Sequence, residues 1–214
     1  MVTYDEIFRD TGRVEAFSDG VFAIAITLLV IDIKIPPHLG GRRELMQSLV
    51  AEWPDFAAYL TSFATIGTMW VSHHFIFEHI RRVDTLLFYA NLLVLALITF
   101  INVPTQLVAE YLGTPGERLA GSLYTGTILA ISFSNSMLWR HAARKRRLIA
   151  DSVQNARLRR ITRSYRVRPL CRLVAFGLSF WNVYAAMALT LGLSIYFTIP
   201  PSRKYGSEKE ILAQ

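Results

Sequence analysis

Residues 13–32 read Arg13-Val-Glu-Ala-Phe17-Ser18-Asp19-Gly20-Val-Phe-Ala-Ile24-Ala-Ile-Thr27-Leu28-Leu-Val-Ile31-Asp32, an uncharged apolar run entered through acids and closed by one. Two features argue against a cleaved leader. Asp5, Glu6, Glu15 and Asp19 precede the run, and Ile-Asp-Ile-Lys-Ile-Pro-Pro follows where a small-residue cleavage site would stand. The stretch is therefore expected to remain as a first membrane helix over about 13–35, stopped by Pro36-Pro37 and Gly40-Gly41. At 100° per residue, Ile24, Leu28 and Ile31 fall within roughly 60° of one another, with Thr27 at the edge of that stripe. Asp19 projects roughly 140° from Ile24 and Ser18 about 120°. One helix thus offers an apolar stripe and, on another face, a polar anchor.

The rest of the chain follows the same plan. Of 214 residues 52% are hydrophobic, and they gather in long runs separated by charged or Pro/Gly-containing stretches, which makes a membrane bundle and not a soluble core. Further helices are expected over about 53–80, 85–111 (with Pro104 near its end) and 117–140. The last apolar run, 169–199, would be ~46 Å long as one helix, against a hydrocarbon core of ~30 Å. A hairpin turning near Asn182, with helices over about 169–182 and 183–199, fits the charges better. Arg81, Arg82 and the basic segment 141–168 belong inside, and so does a tail, 202–214, carrying Arg203, Lys204 and Lys209. With the N-terminus cytoplasmic, an even number of crossings is required, and six helices within residues 1–201 satisfy it. The expected class is an all-α, multi-pass membrane protein with both termini cytoplasmic.

The net charge of +7 could point to nucleic acid, but its location argues otherwise. Between Arg140 and Arg172 stand twelve Lys/Arg residues against one acid, Asp151, which reads first as a cytoplasmic loop, with a nucleic-acid or anionic-lipid site as the alternative; no nucleic-acid-binding motif accompanies it. Cys171 is the only cysteine, so an intrachain disulfide is excluded. His74 and Glu78 share a helical face, but no third metal ligand lies at a suitable spacing, and His73, His74 and His79 read as buried or interfacial side chains.

Arg13-x-x-x-Phe17-Ser18-Asp19 with the following Gly-Val-Phe-Ala-Ile-Ala-Ile-Thr-Leu-Leu-Val resembles the signature helix of a known family. These are the bacterial relatives of the lysosomal potassium channel, transmembrane protein 175. The resemblance continues through Trp70-x-x-His73, Asp84 and Asn91, and into Val103-Pro104-Thr105, where Asn102 replaces a proline frequent in the family. It implies a homotetramer of six-helix subunits in a plasma membrane, with the first helices around a potassium-permeable pathway and no cofactor. By position, Ile24 resembles the narrowest hydrophobic layer. Leu28 and Ile31 resemble further layers toward the outside, and Thr27 a hydroxyl near the constriction. On periodicity alone these residues would simply pack against helices or lipid.

No Thr-Val-Gly-Tyr-Gly loop occurs, so selectivity cannot come from a carbonyl filter. Rings of Ile and Leu gate by dewetting, and a moderate preference for potassium follows from its weaker hydration. Ser18 and Asp19, turned from the stripe, are expected to join Trp70, His73 and Asn91 in an inter-helix network that also includes Arg13 and Phe17 of the motif. Asp32 is a candidate for the outer mouth, partly opposed by Lys34. The rival reading is a proton-coupled transporter using Asp19 and His73, and against it stands the lack of an internal repeat with broken helices. An enzyme is disfavoured, because neither a zincin motif nor a Gly-x-Ser-x-Gly elbow is present.

Overall fold

The computed structural model describes residues 11–34, 41–146, 148–150 and 153–198. Helix α1 spans Thr11–Leu28 and tightens into a 3-10 turn, Leu29–Asp32. Next come α2 (Arg42–Ala51), α3 (Trp53–Phe77), α4 (Thr85–Phe100) and α5 (Asn102–Tyr111). The chain continues through α6 (Glu117–Ala143), α7 (Asn155–Leu178) and α8 (Val183–Thr198). The Pro36-Pro37 stop and the basic tail 202–214 lie outside the described residues. By length and composition, Thr11–Asp32 and Thr85–Tyr111 are able to cross a membrane, and Val183–Phe197 is a shorter apolar helix.

Several boundaries differ from those expected, each for a local reason. The first α-helix ends at Leu28 and not near 35, because Ile33 turns extended and the Lys34 amide donates to Asp55 Oδ2 at 3.3 Å. That leads the chain out of the helix ahead of the two prolines. The run 85–111 breaks at Ile101, where the Pro104 ring opposes a continuous helix by clashing with the carbonyl four residues back. The helix after Arg82 starts from an Asp84 cap, whose Oδ1 accepts from the Leu87 amide at 2.8 Å and which also pairs with His141 Nε2 at 2.9 Å. Gly113, at φ 78°, takes the left-handed turn after α5 that other residues resist.

The helix expected from 169 begins at Asn155, so the second half of the segment read as a basic loop is an arginine-rich extension of α7. Pro169 sits inside it and cannot donate to the Tyr165 carbonyl. That carbonyl instead accepts from Ser136 Oγ of α6 at 2.5 Å, the kind of side-chain substitution that lets a membrane helix carry proline. The chain then turns between Leu178 and Val183. Arg172, buried, ties the two arms of this hairpin by donating to the Thr190 carbonyl at 2.7 Å and Ser194 Oγ at 2.8 Å.

Helix α6 lies at the centre, packed on α4, α5, α7 and α8, while α1 rests on α3 and α4. The buried side of α6 includes Gly121, Ser122, Thr125, Ser134 and Ser136. Small and hydroxyl residues allow close approach between membrane helices and also lower hydropathy, so a central helix scores as less apolar than a lipid-facing one. At the opposite end from the α5–α6 turn, the Arg81 amide donates to the Leu148 carbonyl and the Ala150 amide to that of His79, joining the α3–α4 and α6–α7 connections on one side. Gly121 marks a close crossing of α6 and α8, since a Cβ there would lie 2.7 Å from Val183 Cγ1. Gly121→Ala should therefore cost about 1–3 kcal/mol by overpacking. Thermal denaturation should show the loss and show it largely recovered by adding Val183→Ala; no recovery would mean that some other neighbour limits the site.

Candidate functional site

Helix α1 has two unlike faces. Val14, Ser18, Phe22, Ala25 and Leu29 are buried against α3 and α4. Ile24, Leu28 and Ile31 are 58%, 42% and 72% exposed, whereas Ala25, one residue from Ile24, is fully buried. The chain thus leaves its apolar stripe uncovered and packs the other side. Thr27, exposed, donates its hydroxyl to the Ile24 carbonyl at 3.0 Å and keeps its oxygen as an acceptor. The 3-10 turn matters to the register. Residues three apart eclipse in that geometry, which brings Ile31 into line above Leu28 about 6 Å further along the axis.

Behind the stripe lies a chain of hydrogen bonds with a defined direction. Ser18 Oγ donates to the Val14 carbonyl at 2.8 Å and accepts from Asn91 Nδ2 at 2.9 Å. Asn91 Oδ1 is then the acceptor for His73 Nε2, 2.7 Å away, so the imidazole carries its proton on Nε2. All three side chains are buried, and the His73 ring is held between Phe22 and Phe77, with centroids at 5.2 and 4.6 Å. The contact joins α1, α3 and α4 at one level.

Asp19 belongs to a second, wetter cluster. Its Oδ1 accepts from Trp70 Nε1 at 2.8 Å; Trp70 stacks on His74, whose Nδ1 lies 2.9 Å from Glu15 Oε1. Asp19 is half-buried and Trp70 partly exposed, which corrects the expectation of a single buried network. Arg13 and Phe17 are also outside it. Both are exposed, because positions 13, 17, 20, 24, 28 and 31 advance at three- and four-residue steps and share the bare face. Asp19 and His73 bond to different partners and do not form one relay. Asp32 is half-buried and lines a cavity of about 230 Å³ within the chain, with Asp55, Tyr59 and Glu110 among its other walls, off the Ile24 stripe.

Two functional-looking residues escaped the sequence reading. Asp55 is buried and anchors the end of α1, yet nothing in its surroundings distinguishes it from a helix-start acid. Arg172 counts toward the charge of the basic stretch although it falls inside the helix expected over about 169–182, and its place inside Leu-Cys-Arg-Leu-Val is a usable signal of an intramembrane charge.

A family model for the endosomal/lysosomal potassium channel TMEM175 matches residues 13–101. A potassium channel from Chamaesiphon minutus is 49% identical over 191 residues, covering 89% of this chain and 94% of its own. The human endosomal/lysosomal proton channel TMEM175 is 35% identical over 127 residues, 56% of this chain and 25% of that one. Among solved structures, a lysosomal potassium-selective channel TMEM175 homolog from Chamaesiphon minutus superposes with a TM-score of 0.80. It has 47% identity and covers 92% of this chain and 98% of that one.

Proposed function

Because this chain belongs to the TMEM175 family, whose members are ion channels and not enzymes, we propose that it forms a potassium-permeable pore lined by α1. The observation that carries the reading is the bare stripe of Ile24, Leu28 and Ile31, opposite a face that is fully packed. Four copies of α1 around an axis would bring these side chains together, with Ile24 as the tightest ring, Thr27 offering hydroxyl oxygens next to it, and Leu28 and Ile31 beyond. Such rings exclude water when narrow and favour the ion that dehydrates more readily, giving a moderate preference for potassium over sodium. The subunit crosses a plasma membrane six times, by α1, α3, the α4–α5 pair, α6, α7 and α8, with both termini cytoplasmic. The joined α3–α4 and α6–α7 connections, which carry Arg81, Arg82 and the arginines of α7, support that orientation. A reporter fused after Gln214 should read cytoplasmic, and an external reading would remove the six-crossing topology.

The test is flux from liposomes holding the purified protein under an imposed potassium gradient. Potassium should leave without obligatory movement of another ion. Strict one-for-one exchange with protons would instead establish a coupled transporter. Some relatives are named proton channels, so a pH-sensitive dye belongs in the same vesicles to measure proton leak beside potassium flux.

A further inference from the structure

Between α6 and the first half of α7 lies an open cleft of about 1170 Å³ that the pore does not use. Its rim carries Arg140 from α6, Arg144 just past the end of α6, and Arg159, Arg163 and Arg166 from α7, all exposed. None of the five makes an ion pair with a described residue. Asp84, beside the cleft at His141, is already engaged by that histidine and by the start of α4. Five guanidinium groups facing one space, with no carboxylate among the described residues that line it, repel one another, and an anionic group placed among them relieves the repulsion.

The wall of the cleft is of another kind. Leu86, Phe133 and Met137 line it and are 60%, 56% and 53% exposed. Met137 and Phe133 precede Arg140 by three and seven residues, so they lie about 4.5 and 10 Å from it along the helix, toward the middle of the bundle. Charge at the end of the helices and exposed apolar surface running inward from it match a molecule with an anionic head and hydrocarbon chains. We propose that this cleft binds an anionic phospholipid of the cytoplasmic leaflet, its phosphate among the five arginines and its acyl chains along Leu86, Met137 and Phe133. The choice of leaflet rests on the orientation proposed above, whereas the lipid site itself stands apart from the assignment of the pore. A nucleic acid would satisfy the arginines but would leave the apolar wall in contact with nothing suited to it.

The test uses delipidated full-length protein in detergent, titrated with phosphatidylglycerol or phosphatidylcholine and read by native mass spectrometry. Phosphatidylglycerol should bind more tightly. Each arginine at an anionic headgroup contributes about a fivefold gain, so R159Q/R163Q/R166Q should weaken phosphatidylglycerol by roughly a hundredfold and leave phosphatidylcholine unchanged. R42Q/R43Q on α2, at exposed positions away from the cleft, should change neither lipid. Soluble glycerol phosphate and a short single-stranded oligonucleotide should fail to displace the lipid, since neither fills the apolar wall, and F133S/M137S should weaken binding with the charges intact. Equal affinity for the two lipids overturns the proposal. So does displacement by the oligonucleotide together with indifference to F133S/M137S, which would make the cleft a site for soluble polyanions. Should the triple variant not fold, the wild-type lipid comparison and F133S/M137S decide by the same criteria.

Discussion

Replacing Ile24 by asparagine should raise single-channel potassium conductance and bring the potassium-to-sodium permeability ratio toward unity. The ring proposed at this position opposes ions by being dry, and an amide on each subunit offers water a foothold. Lowering the barrier by about 1.4 kcal/mol would raise flux about tenfold. Ile26 supplies the comparison, because it packs partly buried against the core while Ile24 stands exposed on the other side of the same helix. Ile26→Asn should lower the yield of folded protein and leave the permeability ratio of the surviving channels unchanged. If the two variants alter permeation alike, the two faces of α1 do not have the roles assigned to them.

Asn91→Ala should be among the most damaging single changes to stability. It removes both the acceptor for His73 Nε2 and the donor to Ser18 Oγ at a site without access to water. Each unsatisfied buried group costs about 1–3 kcal/mol in proteins generally, although polar contacts between membrane helices average nearer 0.6 kcal/mol. With two groups affected, a loss of about 2 kcal/mol is expected, read as a fall of roughly 4–8 °C in thermal midpoint. His73→Ala should resemble it. Asp19→Asn should be mild, because the new amide oxygen can still accept from Trp70 at a half-exposed position. None of the three should move the reversal potential under mixed potassium and sodium, since all lie off the exposed stripe; a shifted reversal potential in Asn91→Ala would put this cluster in the ion path.

Much of this was legible from residue types and spacing, because a membrane leaves few options for the backbone. The uncharged run after Asp19 and the polar pair Ser18 and Asn91 in apolar surroundings each announce an element or an interaction. Other features depend on tertiary contacts that no local pattern encodes. Pro169 reads as a helix start, and only Ser136 from α6 explains how α7 runs through it. Arg13 and Phe17 belong to the same sequence motif as Ser18, yet a helical turn of 100° per residue separates their roles by face. The weak hydropathy of α6 reflects its central place, where small hydroxyl residues serve packing, and such a helix is easily undervalued when every span is expected to be uniformly apolar.

Cysteine scanning of α1 tests the pore assignment most directly. Cys171 is the only thiol in the chain, so Cys171→Ser gives a background in which single cysteines at 24, 26, 28 and 31 report one at a time. With the protein in planar bilayers under a potassium gradient, a small cationic thiol reagent added from the water phase should block current through cysteines at 24, 28 and 31 and spare 26. Block at 26 equal to that at 24, or current unaffected at 24, 28 and 31 despite confirmed labelling, would take α1 out of the ion pathway.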